Sequence, residues 1–231
     1  SNIAAVVVVL MSGTSGVLPP PKGYLNRLRE ICDKHNILLI FDEVITGLGR
    51  MGALTGAEEF GVTPDIMTLA KQITNGAQPL GAVVTKADIY DTFMDQGGPD
   101  YMVEFPHGYT YSAHPVACAA GLAALDVLEM EELPQRVKSM SAYFENAVHQ
   151  LKGAPYVKDI RNYGFADGVS LEHYPGEPLR RPFELGLKCF DKGFYIRWGA
   201  DTVQLAPAFV VTEQQIDSFI NAVGESLHEL P

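Results

Sequence analysis

Short, mostly apolar segments alternate with helical or glycine-rich stretches through the first third of the chain, and this alternation constrains the fold most strongly. The segments occupy residues 3–11, 37–41, 65–70 and 80–84. Strands that alternate with helices or long loops indicate an α/β fold with a largely parallel sheet. A strand without polar alternation is typical of a sheet that is covered on both faces. We therefore expect the run of valines at residues 6–9 to be buried on both faces.

Helical periodicity occurs between these strands and is the main pattern in the second half of the chain. An apolar stripe at helical spacing predicts a helix over residues 22–35 that ends near Asn36. Further helices are predicted over residues 115–130, 134–151 and 182–192, and further strands near 157–160, 168–172 and 202–206. The capping box from Thr212 to Gln215 predicts a final helix. Polarity rises after residue 130, so we predict one domain over residues 1–128 and a small α+β domain over residues 129–231.

The net charge argues against two classes of partner. Lys plus Arg number 17 and Asp plus Glu number 28, which gives a formal net charge of −11. An acidic chain repels the phosphate backbone of nucleic acids and the anionic surface of membranes. We therefore predict no nucleic-acid partner and no membrane association.

Cysteine usage indicates a reducing compartment. Cys32, Cys118 and Cys189 are far apart and form no C-x-x-C pair, so neither a disulfide framework nor a structural zinc site is expected. We predict no metal site and a cytoplasmic location.

Asp42 ends the second predicted strand, and two nucleotide-binding interpretations start from it. An acidic strand end that holds magnesium in an ATPase requires a G-x-x-x-x-G-K-[ST] loop, which these 231 residues do not contain. Residues 47–52 match the dinucleotide-binding pattern G-x-G-x-x-G literally. That pattern requires a helix to start at the glycines, and Gly56 and Gly61 interrupt the following segment. A nucleotide-binding α/β domain remains an alternative.

A third interpretation combines Asp42 with Lys71, which follows the third predicted strand. Ligands bind at the carboxyl ends of the strands in α/β sheets, and both residues are predicted there. Pyridoxal phosphate requires a lysine amine for its Schiff base and an acid beside its pyridinium nitrogen. The two residues predict a site for this cofactor, although each alone is also compatible with a structural role.

Four longer sequence segments resemble those of a known family. They are FDEVITGLGR at residues 41–50, PDIMTLAK at 64–71, PLGAV at 79–83 and HGYTYSAHPVACAA at 107–120. As a set they resemble class III aminotransferases, which are pyridoxal-phosphate enzymes of fold type I. The four segments are most similar to those of the ω-amino acid:pyruvate type, which includes β-alanine:pyruvate aminotransferases. The resemblance covers nearly the whole chain.

The resemblance implies roles for five residues. Lys71 is implied as the Schiff-base lysine that also moves the proton, and Asp42 as the partner of the pyridine nitrogen. Val44 is implied to pack on the ring, and Thr110 to donate to the cofactor phosphate of a neighbouring subunit. Arg197 is implied to hold the substrate carboxylate, for which a planar guanidinium is suited.

The resemblance also implies a fold, an activity and an assembly. Residues 1–128 are expected to be the later part of the fold-type-I large domain, and residues 129–231 its small C-terminal domain. The expected reaction transfers an amino group from a β-alanine-like ω-amino acid or amine to pyruvate. The expected assembly is a homodimer or tetramer with the cofactor at the subunit interface.

Two departures from the family lead to further expectations. The first strand usually ends in Glu-Pro, where this chain has Val9 and Leu10. The family's glycine- and serine-rich phosphate loop and its ring-stacking aromatic residue belong to an earlier part of the protein. We therefore expect this chain to be the later part of a longer protein and to be inactive alone. The alternative is a non-catalytic fragment or remnant of the fold.

Overall fold

The computed structural model describes residues 2–231 and divides them between two units. The first unit contains the residues up to Leu10, together with Lys22–Gly47 and Gly56–Glu131. The second unit contains Met11–Pro21, Leu48–Thr55 and Glu132–Pro231. Each unit therefore draws on separate stretches of the chain. The division at residues 128 and 129 stays a prediction about the domains of the whole protein.

The first unit is built on a four-stranded sheet. Its elements are β1 (Ala5–Val9), α1 (Tyr24–His35), β2 (Leu38–Asp42), α2 (Gly56–Phe60), β3 (Ile66–Leu69), β4 (Ala82–Thr85), α3 (Ala87–Gln96) and α4 (Pro115–Met130). The strand order is β1-β2-β3-β4. Strands β1, β2 and β3 are parallel, and β4 is antiparallel to β3. The predicted α/β arrangement with a largely parallel sheet is thus observed.

Helix α1 packs beside this sheet and ends where the sequence predicts. Asn36 adopts a left-handed conformation with φ 55°, and its N–H caps the carbonyls of the last turn. The apolar core of the unit joins Leu25 and Cys32 of α1 to Leu39 and Phe41 of β2. Leu10, which follows β1 directly, is fully buried in this core.

Residues 2–231 cover only one face of β1, so burial of its valines on both faces stays a prediction about the whole protein. Val7 is 67% exposed and Val9 is 46% exposed, whereas Val6 and Val8 pack against the core. Among the described residues β1 pairs with β2 alone, so it lies at the edge of the four strands seen here. Alternate side chains of the strand therefore point away from the core, despite the absence of polar residues.

The second unit contains an antiparallel sheet covered by helices. Its elements are α5 (Leu133–His149), β5 (Val157–Tyr163), β6 (Ala166–Leu171), α6 (Arg180–Asp191), β7 (Arg197–Gly199), β8 (Thr202–Leu205) and α7 (Glu213–His228). The strand order is β5-β6-β8-β7. Helix α7 begins at the predicted capping box, in which Thr212 and Gln215 bond reciprocally. No helix among residues 2–231 is long and apolar enough to cross a membrane.

A buried ion cluster stabilises the amino-terminal end of β3. The Asp65 carboxylate accepts hydrogen bonds from Lys86 Nζ at 2.6 Å, Arg29 Nη1 at 2.8 Å and the Leu39 N–H at 2.7 Å. Burial opposes the charged form, but the Leu39 N–H and the two cations outweigh it and lower the pKa of Asp65 to about 2. This single carboxylate connects α1, β2 and the start of α3.

Asp65→Asn is expected to lower the free energy of unfolding by about 2–3 kcal/mol at pH 7, because it removes the anion of Lys86 and leaves Arg29 with the exposed Asp33 alone. The folded pKa lies below the usual value of an aspartate, so the stabilisation is complete above pH 4 and disappears as the pH falls towards 2. Urea unfolding of the whole protein at several pH values measures both effects. The exposed Asp91→Asn serves as control, and an equal loss in both variants would contradict the prediction.

Candidate functional site

Asp42 and Lys71 lie at the same edge of the first sheet. Asp42 is the last residue of β2, and Lys71 follows β3 after one intervening residue. The two strands are adjacent and parallel, with Asp42 in register with Thr68. The carboxyl ends of parallel strands meet at one edge, which is where α/β sheets bind ligands. The structure therefore places both residues at the strand ends where the sequence predicts them.

The Asp42 carboxylate is half-buried and oriented by its own turn. Its Oδ1 accepts a hydrogen bond from the Val44 N–H at 3.0 Å. A carboxylate offers about four acceptor positions, so this bond leaves Asp42 able to accept from a ligand. Val44 is also half-buried, and it lies two residues beyond the end of β2.

Lys71 has an unusual backbone conformation. Its φ is 50°, which is the left-handed region, and it opens a short 3₁₀ turn over Lys71–Ile73. For a residue with a Cβ atom, this conformation is roughly 1–2 kcal/mol less favourable than the right-handed one. Strained residues concentrate at functional sites, where the surrounding structure maintains them. The exposed Lys71 side chain is thus presented from a backbone position that few lysines occupy.

Glu43 forms a buried clamp directly after Asp42. Its side chain is almost fully buried, and it accepts bonds from Thr46 Oγ1 at 2.5 Å, the Gly56 N–H at 2.9 Å and the Ala57 N–H at 2.8 Å. These bonds tie the turn after β2 to the first residues of α2. No local pattern in the sequence indicates this role for Glu43.

The glycines that match the dinucleotide pattern are packed against protein atoms instead. A Cβ atom added at Gly47 would lie 2.7 Å from Leu69 Cδ2 and 2.8 Å from the Glu43 carbonyl oxygen. In the second unit, a Cβ atom at Gly52 would lie 3.0 Å from Lys138 Cβ. Helix α2 begins only at Gly56 and has five residues. The loop therefore offers no glycine-lined helix start for a pyrophosphate, and the nucleotide-binding alternative is not supported.

Thr110 lies in the irregular segment between α3 and α4 of the first unit. The residue is exposed, and so are many aromatic side chains around it. Tyr101, Tyr109 and Tyr111 are each about four-fifths exposed. Exposed apolar clusters of this kind are typical of surfaces that bind another protein.

Arg197 belongs to the second unit, where it opens the edge strand β7. The next residue, Trp198, packs so closely on α6 that a Cβ atom at Gly186 would lie 2.3 Å from its ring. Because side chains alternate along a strand, Arg197 points to the opposite face, and it is exposed. It is in register with Gln204 of β8, whose side-chain amide donates to the Thr14 carbonyl at 3.0 Å.

Comparisons with known proteins show which family this sequence matches. The sequence matches the Aminotransferase class-III family over residues 1–227. It is 58% identical to the beta-alanine–pyruvate aminotransferase of Pseudomonas aeruginosa, over 99% of this chain and 51% of that protein. It is 56% identical to the omega-amino acid–pyruvate aminotransferase of Pseudomonas putida, over 100% of this chain and 51% of that protein.

Solved structures of transaminases share the fold. The omega transaminase of Pseudomonas jessenii in complex with PMP superimposes with a TM-score of 0.92 at 30% identity, over 98% of this chain and 51% of that one. An (S)-enantioselective omega-transaminase from Thermomicrobium roseum gives a TM-score of 0.90 at 35% identity, over 97% of this chain and 51% of that one. The predicted α/β fold of the type I transferases is confirmed. The chain spans about half the length of the curated relatives it matches.

Proposed function

Because the chain belongs to the class-III aminotransferase family, we propose that the whole protein transfers an amino group from a β-alanine-like ω-amino acid or amine to pyruvate. The printed activities of the Pseudomonas aeruginosa and Pseudomonas putida relatives support this choice of donor and acceptor. The observation that carries the proposal is the placement of Asp42 and Lys71 at the ends of adjacent parallel strands. An acid and an amine at this edge can hold one cofactor from two sides.

The residues present at this edge fit pyridoxal phosphate. A half-buried carboxylate that keeps acceptor capacity suits a protonated ring nitrogen, and an exposed lysine amine suits an aldehyde. When bound, the cofactor supplies an electron-withdrawing ring that stabilises negative charge on the substrate carbon. Asp42 keeps the ring nitrogen protonated, and Val44 provides apolar contact for the ring. The Lys71 amine, once neutral, accepts and returns the proton at the substrate carbon.

Arg197 is proposed to bind the carboxylate of the amino donor and of pyruvate. A guanidinium presents a planar fork of N–H donors that matches a carboxylate with two parallel bonds. Packing of Trp198 on α6 fixes the strand from which Arg197 projects. The packing of Trp198 therefore orients Arg197 without involving the Arg197 guanidinium.

Thr110 is proposed to donate its hydroxyl to the cofactor phosphate of a neighbouring subunit. Its position in an exposed segment rich in exposed tyrosines supports an interface at this surface. The proposed assembly is therefore a homodimer or tetramer with cofactor sites at the interface. We also propose a cytoplasmic location, which the widely spaced cysteines favour.

Borohydride reduction of the whole protein loaded with pyridoxal phosphate should attach the cofactor to Lys71, because only an amine bonded to the aldehyde is trapped. Peptide mapping by mass spectrometry locates the adduct. Lys71→Arg should abolish both the adduct and the formation of alanine from β-alanine and pyruvate. Lys34→Arg, a matched change on the exposed last turn of α1, should leave both unchanged. An adduct on Lys86 would assign the cofactor to a different lysine.

A further inference from the structure

The Glu43 carboxylate is bonded by two main-chain N–H groups and one side-chain hydroxyl. All three of its hydrogen-bond donors come from its own loop and from the start of α2. Gly56 is required for this arrangement, because a Cβ atom there would lie 3.0 Å from Glu43 Oε2 and 2.3 Å from Leu10 Cδ1. A buried carboxylate is costly unless its oxygens are bonded, and here both are.

The clamp begins at the residue between Asp42 and Val44. The Glu43 N–H donates to the Thr68 carbonyl of β3 at 3.0 Å, which continues the pairing of the two strands past Asp42. The side chain then joins the turn after β2 to Gly56 and Ala57 at the start of α2. Glu43 is therefore held at its main chain by β3 and at its carboxylate by α2.

We propose that Glu43 is a positioning residue, whose buried carboxylate holds Asp42 and Val44 in the orientation that the cofactor ring requires. This inference rests on the proposed function, because it assumes that Asp42 and Val44 contact the ring. Glu43 itself is separated from solvent and acts through its two neighbours. Its bonds to Gly56 and Ala57 hold the turn after β2 in place. The turn then determines how Asp42 and Val44 face the cofactor ring.

Glu43→Gln tests the proposal with little change in volume. A glutamine places an NH₂ group against at least one of the backbone N–H donors, so one bond of the clamp is lost. The dissociation constant for pyridoxal phosphate, measured by absorbance titration of the whole apoprotein, should rise at least tenfold. Thr46→Val removes one donor and keeps both backbone bonds, so it should raise the dissociation constant by a smaller factor.

Asp65→Asn is the matched control for lost stability. Asp65 lies just before the amino-terminal end of β3, whereas Glu43 follows the carboxyl-terminal end of β2. Asp65→Asn should lower stability and change the dissociation constant less than twofold. Hydrogen exchange of the apoprotein adds a second readout, and faster exchange over residues 43–57 is expected only in the Glu43 and Thr46 variants.

The possible results separate this inference from the proposed function. If the wild-type protein binds the cofactor at Lys71 and Glu43→Gln binds it as tightly, Glu43 is structural and the inference fails alone. If Glu43→Gln and Asp65→Asn weaken binding equally, the effect is a general loss of stability and the inference also fails. If the wild-type protein binds no cofactor, the proposed function fails and the inference with it. If Glu43→Gln does not fold, unchanged affinity in Thr46→Val overturns the inference.

Discussion

Asp42→Asn should reduce the rate of amino transfer by the whole protein at least a thousandfold, which corresponds to roughly 4 kcal/mol of transition-state stabilisation. The substitution removes the negative charge that we propose keeps the ring nitrogen protonated. An asparagine oxygen can still accept the Val44 N–H bond that Asp42 Oδ1 accepts now. The turn after β2 is therefore retained, and the loss reports the charge. Single-turnover kinetics with β-alanine measure the rate.

Two results would assign Asp42 a structural role instead. The first is a rate within about tenfold of wild type, which is a difference of only about 1.4 kcal/mol. The second is an equal loss in Asp126→Asn, a matched change on the exposed surface of α4 in the same unit. Borohydride trapping at Lys71 should remain possible in Asp42→Asn, because the aspartate is not needed for the lysine to bond the aldehyde.

The pairing of Asp42 with Lys71 was predictable because it follows from a regular element. Strand β2 ends at Asp42, and β3 ends two residues before Lys71. Parallel neighbours carry their carboxyl ends to the same edge, whatever the side chains between them are. Sequence periodicity locates such ends within a few residues, and that accuracy is sufficient to place both residues at one edge of the sheet.

The features that escaped prediction depend on contacts distant in sequence. Glu43 became a clamp only because Gly56 and Ala57 return to it after a loop of more than ten residues. Strand β7 has three residues, too few for a periodic pattern, and it is fixed by packing of Trp198 against Gly186. The apolar composition of β1 does not say which of its faces residues 2–231 cover, because a valine carries no signal for the side on which it is packed.

Asp167 is a second feature that no local pattern indicated. It lies in the middle of the second unit's sheet on β6, with no exposed surface and no hydrogen-bond partner for either carboxylate oxygen. Burial in the core, together with the charge of Glu145, raises the pKa of Asp167 to about 8. The folded protein therefore keeps this carboxyl protonated at neutral pH, while the unfolded chain ionises it near pH 4.

Asp167→Asn should consequently change how the stability of the whole protein depends on pH. In the wild type the folded state binds a proton that the unfolded state releases, so stability falls as the pH rises from about 4 to about 8. Four pH units at 1.36 kcal/mol each give a loss on the order of 5 kcal/mol. The neutral amide cannot ionise, so the variant should match the wild type at pH 4 and be several kcal/mol more stable at pH 8.

Urea unfolding at pH 4, 6 and 8 measures this difference, and Asp191→Asn on the exposed end of α6 serves as the matched control. The control should show the same pH dependence as the wild type. Glu145→Gln should reduce the slope only slightly, because burial contributes more than the Glu145 charge to the raised pKa. If the stability of the wild type and of Asp167→Asn changes with pH in parallel, the Asp167 carboxylate is stabilised in the folded protein. The core of this unit then does not depend on a protonated acid.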